Sequence, residues 1–233
     1  SLAGHLKLDN LVMLFDNNSI SIDGPTNLTV SDNFKKRFEG YGWNYLLIDG
    51  HNEREIFYAL KKSQTSKKPT VISCKTKIGY GSPNKSGKAS AHGSPLGEEE
   101  IKLIRRKLKW KYKKFEIPKN ILSEWRNIGN KGLKVEKRWT KIYKQRKNKI
   151  DKILNNNFNR SIKTEKIKSI KEMNVLATRK SSELALSAFM KNSNTLIGGS
   201  ADLAGSNNTK TKHHKIIKPN DFSGSYIHYG VRE

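Results

Sequence analysis

The sequence of 233 residues contains one cysteine, Cys74, so it can form neither an internal disulfide framework nor a cysteine-based zinc site. It has no continuous apolar run of the ~20 residues that a membrane-spanning helix needs. Its first residues, SLAGH, lack an initiator methionine and the basic and apolar regions of a secretory signal. We therefore expect a protein of a reducing, cytoplasmic compartment with no membrane partner, whose chain starts inside a longer protein.

Acidic residues are scarce compared with basic ones. The chain has 21 Asp and Glu residues against 46 Lys and Arg, which gives a formal net charge of +25. This imbalance is concentrated between residues 102 and 171, and it leaves open a basic nucleic-acid-binding protein on an α/β scaffold. Runs of basic residues more often form solvated helix faces, and the chain has no zinc-finger spacing and no aromatic RNA-binding strand motif. Nucleic acid is therefore the less favoured partner.

Strand-like and helix-like segments alternate in the first third of the chain. The strand-like segments LVMLFD, WNYLLIDG and PTVISCKTK are separated by the helix-like segments SDNFKKRFEGYG and NEREIFYALKKSQ. This order predicts an α/β fold in which helices cover a parallel sheet, with Ser31 or Asp32 as the N-cap of the first of these helices. Ligands of such sheets bind beyond the carboxyl ends of the strands. Asn17, Asn18 and the segment 49–51 fall at these ends.

The segment 80–97, YGSPNKSGKASAHGSPLG, is rich in Gly, Ser and Pro and has no apolar period, which predicts a loop. Loops of this length inside a compact domain are usually functional or disordered. The next segment, GEEEIKLIRRKLKW, predicts a helix whose acidic first turn suits the helix dipole. For the whole chain we expect a first domain with a basic, mostly helical extension at 1–155, an inter-domain linker at 156–175 and a second, truncated α/β domain at 176–233.

Several segments resemble one enzyme family, in the same order along the chain. The residues FDNNSISIDGPT, CKTKIGYGSPNKSGKASAHGSPLG, GGSADLAGSN and YIHYGVRE resemble those of transketolase, and dihydroxyacetone synthase is a close relative that they leave open. The resemblance implies a partial parallel-sheet thiamine-diphosphate-binding fold. It would comprise the later part of the diphosphate-binding domain and the start of the pyrimidine-binding domain. The resemblance also implies that the chain is an internal piece of a homodimeric enzyme of the pentose phosphate pathway, and that this piece is inactive by itself.

The activity that the resemblance implies is the transfer of a two-carbon ketol unit from a ketose phosphate to an aldose phosphate. The implied cofactors are thiamine diphosphate and Mg²⁺, or Ca²⁺ or Mn²⁺ in its place. The implied metal ligands are the side-chain oxygen of Asn18 and the backbone carbonyl of Ile20, which are therefore also cofactor-binding residues. From the residues alone, Asn18 could instead form an Asx turn with nearby backbone.

The remaining site residues are also implied by the resemblance. His92 contacts the cofactor diphosphate and the donor ketose, so it is a cofactor-binding, substrate-binding and catalytic residue. Arg179 and Ser206 hold the phosphate of the sugar substrate. Gly205 stands where the family usually has a proline before this serine. Glu233 bonds the aminopyrimidine ring of the cofactor and is the second catalytic residue.

Overall fold

A computed structural model describes the residues 1–154, 176–192 and 195–231. The predicted linker 156–175 lies outside the described residues, and so does Glu233. The predictions made for them therefore stay predictions.

The chain divides into two compact units, unit 1 (Ser1–Ile117) and unit 2 (Pro118–Glu233). Unit 1 contains the predicted parallel sheet. Unit 2 contains a long helix and a small second sheet.

Unit 1 contains five strands. They are β1 (Val12–Asn17), β2 (Ile20–Ser21), β3 (Gly24–Pro25), β4 (Asn44–Asp49) and β5 (Thr70–Lys75). Strands β1, β4 and β5 form a parallel sheet in the order β1–β5–β4, whereas β2 and β3 pair with each other in antiparallel fashion. The three strands predicted from the sequence, and their parallel arrangement, are confirmed.

Four α-helices belong to unit 1. They are α1 (Leu2–His5), α2 (Phe34–Gly40), α3 (Glu53–Ser63) and α4 (Glu98–Lys107), and short 3-10 turns lie at Thr26–Leu28 and Ala89–Ala91. The helices α2 and α3 lie between consecutive parallel strands in the chain, as the alternating segments predicted. The helix predicted after the glycine-rich loop is α4.

The N-cap of α2 differs from the prediction. Asn33 caps this helix, because its side-chain oxygen accepts a hydrogen bond from the backbone N–H of Lys36 at 3.0 Å. The prediction of Ser31 or Asp32 was wrong by at least one residue. Asp32 instead forms an ion pair with Arg37 in the same helix.

The core of unit 1 surrounds the central strand. Val71, Ile72 and Ser73 of β5 are at most 1% exposed. Ile72 packs with Ile48 of β4 and Ala59 of α3. A central strand is flanked by hydrogen-bonded neighbours on both edges, so β5 is the most deeply buried part of the sheet.

The described residues of unit 2 form three helices and two strands. They are α5 (Lys119–Leu154), α6 (Thr178–Asn192), α7 (Ala204–Asn207), β6 (Gly198–Ser200) and β7 (Tyr226–His228). The two strands pair in parallel. Tyr226 is fully buried, and its hydroxyl lies 3.0 Å from the hydroxyl of Thr209. This side chain therefore anchors the small sheet.

Candidate functional site

The carboxyl ends of the three parallel strands lie side by side. Asn17, Lys75 and Asp49 are in register as the last residues of β1, β5 and β4. The ladder continues one residue further, because the Gly50 N–H donates to the Lys75 carbonyl at 2.8 Å. Open parallel sheets bind ligands beyond the carboxyl ends of their strands, so a binding site is expected at this edge.

Asn18 follows β1 directly and forms a tight local turn. Its Oδ1 accepts a hydrogen bond from the Ile20 N–H at 3.0 Å, and its Nδ2 donates to Oδ2 of Asp16 at 3.4 Å. Ser19, which lies between Asn18 and Ile20, has a φ of 62°, in the left-handed region. The Asx turn that the sequence offered as an alternative is therefore present. An amide oxygen has two lone pairs, so the turn leaves one of them for a cation.

The Ile20 carbonyl is not used in the β2–β3 ladder. Ile20 pairs with Pro25 in this antiparallel ladder, and the Thr26 N–H donates to the Ser19 carbonyl at 3.0 Å in the pair before it. Hydrogen-bonded and non-hydrogen-bonded pairs alternate along an antiparallel ladder, so Ile20 and Pro25 form a non-hydrogen-bonded pair and the Ile20 carbonyl points away from β3. Mg²⁺ and Ca²⁺ prefer oxygen ligands, including amide and backbone carbonyl oxygens. The turn formed by residues 18–20 therefore fits the cation site that the sequence predicts.

Asp16 joins the ends of β1 and β5. The Thr76 hydroxyl donates to Oδ1 of Asp16, while Oδ2 accepts from Asn18. Partial burial, and next the negative charge of Asp16, raise the pKa of the Cys74 thiol above its usual value. This thiol therefore stays protonated at neutral pH. In the part of the chain that the structure describes, no group of three or more His, Cys, Asp and Glu residues could hold a metal ion.

The glycine-rich loop is tied to helix α4 by one carboxylate. Glu100 accepts hydrogen bonds from the Ser82 hydroxyl, from the Asn84 N–H at 2.8 Å and from Nδ2 of Asn84 at 2.9 Å. The Ser82 bond, followed by those from Asn84, lowers the pKa of Glu100 to about 2. Glu100 is therefore ionised throughout the neutral range. The sequence had indicated only that acidic residues open this helix.

A second contact closes the same loop. Nζ of Lys85 donates to the Leu96 carbonyl at 2.9 Å. His92 lies between these two residues, just after the 3-10 turn Ala89–Ala91, and its backbone N–H donates to the Ala89 carbonyl at 2.8 Å. The His92 side chain is exposed. The structure thus places this predicted site residue on a braced loop that follows β5.

His51 has a role in this region that the sequence did not reveal. It follows β4, and its Nε2 accepts a hydrogen bond from the Lys77 N–H at 3.0 Å. Its ring stacks on Tyr80, with 4.0 Å between the centroids and 17° between the planes. His51 therefore fastens the start of the loop to the strand ends. The only sequence signal was its position directly after a predicted strand.

The substrate-binding residues predicted in unit 2 lie on two helices. Arg179 is in the first turn of α6, Ser206 is in α7, and both are exposed. Gly205 does not have a positive φ, and a Cβ added there would meet no atom within 4 Å. Neither its backbone conformation nor its surroundings therefore require glycine. The structure brings Asn18 and Ile20 into direct contact, whereas Glu233 lies outside the described residues.

Two family models match this chain. The transketolase thiamine diphosphate-binding domain matches residues 1–166, and the transketolase pyrimidine-binding domain matches residues 174–233. The chain belongs to the transketolase family. The family membership predicted from the sequence motifs is confirmed, and so is a thiamine diphosphate-binding domain.

Curated transketolases are similar along the whole chain. Transketolase from Buchnera aphidicola subsp. Acyrthosiphon pisum is 43% identical, and transketolase 2 from Escherichia coli is 42% identical, in both cases across 100% of this chain. The chain spans 37% of the length of each of these transketolases.

Solved transketolase structures have the same fold. Pichia stipitis transketolase in complex with sedoheptulose 7-phosphate superposes with a TM-score of 0.87 at 30% identity, covering 99% of this chain and 36% of that one. Campylobacter jejuni transketolase gives a TM-score of 0.84 at 32% identity, covering 100% and 36%. The predicted partial transketolase α/β fold is therefore confirmed. None of the described helices has the length and apolar character to cross a membrane.

Proposed function

We propose that this chain takes part in a transketolase reaction, the transfer of a two-carbon ketol unit from a ketose phosphate to an aldose phosphate. The observation that best supports it is the Asn18–Ile20 turn at the carboxyl edge of a parallel sheet, in a chain matched by both transketolase domains. The longer protein would act as a homodimer in the cytoplasm, in the pentose phosphate pathway. The domain boundaries in this proposal are 1–155, 156–175 and 176–233.

Asn18 and Ile20 would hold the divalent cation, which is Mg²⁺, or Ca²⁺ or Mn²⁺ in its place. Each residue offers a neutral carbonyl oxygen, which adds no negative charge beside a diphosphate. When bound, thiamine diphosphate supplies an electron sink for the carbanion formed in ketol transfer. The bond from Asn18 to Asp16 turns the amide nitrogen away and so sets which atom the amide presents to the cation.

His92 would contact the diphosphate and the donor ketose. Its imidazole is exposed on a braced loop, so it can reach a ligand without leaving a packed environment. A ring N–H can donate to a phosphate oxygen, and the other ring nitrogen can accept from a sugar hydroxyl. Both functions need the loop to hold one position.

Arg179 and Ser206 would bind the phosphate of the sugar. A guanidinium forms two charge-assisted bonds to a phosphate, and a hydroxyl can add a third. The first turn of α6, where Arg179 lies, is also the positive end of the helix dipole, which suits an anion.

Glu233 would hold a proton between its carboxyl group and the pyrimidine ring nitrogen of the cofactor. A carboxyl group with a raised pKa is suited to this role, and burial is one way to raise it.

Turnover by the full-length protein tests this proposal. Xylulose 5-phosphate and ribose 5-phosphate would be supplied with thiamine diphosphate and Mg²⁺, and the reaction repeated with a chelator or without the cofactor. We expect ketol transfer that requires both additions. A folded protein that binds the cofactor but transfers no ketol unit to any aldose phosphate would contradict the proposal.

A further inference from the structure

We propose that Glu100 is a positioning residue, which fixes the loop 82–96 and thereby sets the location of His92. The inference rests on the proposed function of His92, since a loop without a ligand would need no fixed position. Glu100 itself would touch neither substrate nor cofactor.

Glu100 differs from the two glutamates before it. The side chains of Glu98 and Glu99 are 76% and 86% exposed and pair with surface lysines. Glu100 is only 7% exposed and uses both carboxylate oxygens on loop residues. Three consecutive acidic residues are therefore split into two that face solvent and one that anchors the loop.

The anchor reaches His92 through a short chain of bonds. Glu100 holds Ser82 and Asn84. Oγ of Ser82 also accepts from the Lys85 N–H at 3.0 Å, and Nζ of Lys85 holds the Leu96 carbonyl. His92 lies between Lys85 and Leu96. A shift of the Glu100 side chain would therefore move both ends of the segment that carries it.

The charge of Glu100 matters as well as its shape. The backbone N–H of Asn84 donates to one carboxylate oxygen, and its side-chain amide donates to the other. A glutamine has a single acceptor oxygen, and its NH₂ group would face a donor. Glu100→Gln keeps the size of the side chain but must break at least one of these bonds.

The test uses the full-length protein with thiamine diphosphate and Mg²⁺. Amide hydrogen exchange across 82–96 would be compared for wild type, Glu100→Gln and the control Glu99→Gln, which makes the same chemical change on an exposed neighbour. Donor kcat/KM would be measured for the same proteins, for His92→Ala and for the double variant Glu100→Gln with His92→Ala.

We expect exchange across 82–96 to become about tenfold faster in Glu100→Gln and to be unchanged in the Glu99→Gln control. Donor kcat/KM should fall about ten- to a hundredfold, as a displaced catalytic group predicts. The double variant should be no slower than His92→Ala alone, because both changes remove the same interaction.

Two results would overturn the inference. One is unchanged loop exchange in Glu100→Gln. The other is a double variant whose loss is the product of the two single losses, since that would show that Glu100 acts independently of His92. If Glu100→Gln does not fold, Asn84→Ala removes one loop bond, leaves the carboxylate in place and should give the same pattern more weakly. An inactive wild type would contradict the proposed function, while the exchange measurement would still decide whether Glu100 holds the loop.

Discussion

Replacing Asn18 by alanine removes an oxygen that accepts one hydrogen bond in the turn and would bind the cation in the proposed site. The turn loses the hydrogen bond from the Ile20 N–H, which is worth about 0.5–1.5 kcal/mol. The proposed site also loses an oxygen ligand of the cation, and a bond to a charged group is worth about 1.5–3 kcal/mol. Only the second loss depends on the ligand. We therefore expect the affinity for thiamine diphosphate with Mg²⁺ to fall about 10- to 150-fold in the full-length protein.

Two further variants serve as controls for Asn18→Ala. Asn18→Asp retains a side-chain oxygen for the Asx turn and for the metal but adds a negative charge beside Asp16 and the diphosphate, so its loss of affinity should be smaller than that of Asn18→Ala. Asn27→Ala removes an exposed amide from the 3-10 turn Thr26–Leu28 and should change neither affinity. A loss that is largest in Asn18→Ala would then report on the missing oxygen.

Isothermal titration calorimetry measures these affinities directly. Thiamine diphosphate would be titrated at saturating Mg²⁺, and Mg²⁺ at saturating thiamine diphosphate. Binding linkage requires the two apparent affinities to change together if the cation joins the diphosphate to Asn18. Unchanged affinities together with full turnover in Asn18→Ala would refute the assignment.

Four other predictions follow from the chain. Arg179→Ala should raise KM about 10- to 150-fold for phosphorylated sugars and little for unphosphorylated analogues, because only the phosphorylated sugars lose a charge-assisted hydrogen bond. Equal increases for both kinds of substrate in steady-state kinetics would show that Arg179 has a structural role instead. Glu233→Gln should retain cofactor binding by calorimetry but turn over far more slowly, and wild-type rates would exclude the role. Gly199→Ala should lower the free energy of unfolding of unit 2 by roughly 1–3 kcal/mol in chemical denaturation, because the added Cβ would lie 2.5 Å from a carbonyl oxygen of β7. The control Gly198→Ala should be tolerated, because a Cβ added there meets no atom within 4 Å. The pKa of Glu100 is about 2 in the folded protein against an ordinary value of 4.5, so its contribution to stability is present above pH 4.5 and is lost as the pH falls towards 2. The difference in Tm between wild type and Glu100→Gln should therefore shrink as the pH falls from 4.5 to 2. A difference in Tm that stays constant over this interval would contradict the prediction.

The regular elements near the site could be predicted because each carries a local pattern. The apolar run before Asn17 predicted β1, and the amphipathic spacing before Ser63 predicted α3. Helix ends were less certain because several polar residues compete for one cap. Asn33 is the N-cap of α2, whereas Asp32 forms an ion pair with Arg37.

The contacts that brace the site could not be predicted in the same way. Nothing in three consecutive glutamates indicates that Glu100 alone turns inward, because that depends on where the loop brings Asn84. The stack of His51 on Tyr80 likewise depends on how the chain returns after β5. Such pairs join residues that are distant in sequence, and a local pattern carries no information about them.

The position of β5 between β1 and β4 has a consequence for biosynthesis. β1 and β4 are both made before β5, the strand that each of them pairs with in this chain, so these two pairings can form only after residue 75 has been made. Until then the edges of β1 and β4 that will face β5 have unpaired backbone groups, which is a condition that promotes aggregation and chaperone binding. Closing the long β1–β5 loop adds only a logarithmic entropy cost. The β1–β5 and β4–β5 pairings therefore form late, once β5 has emerged.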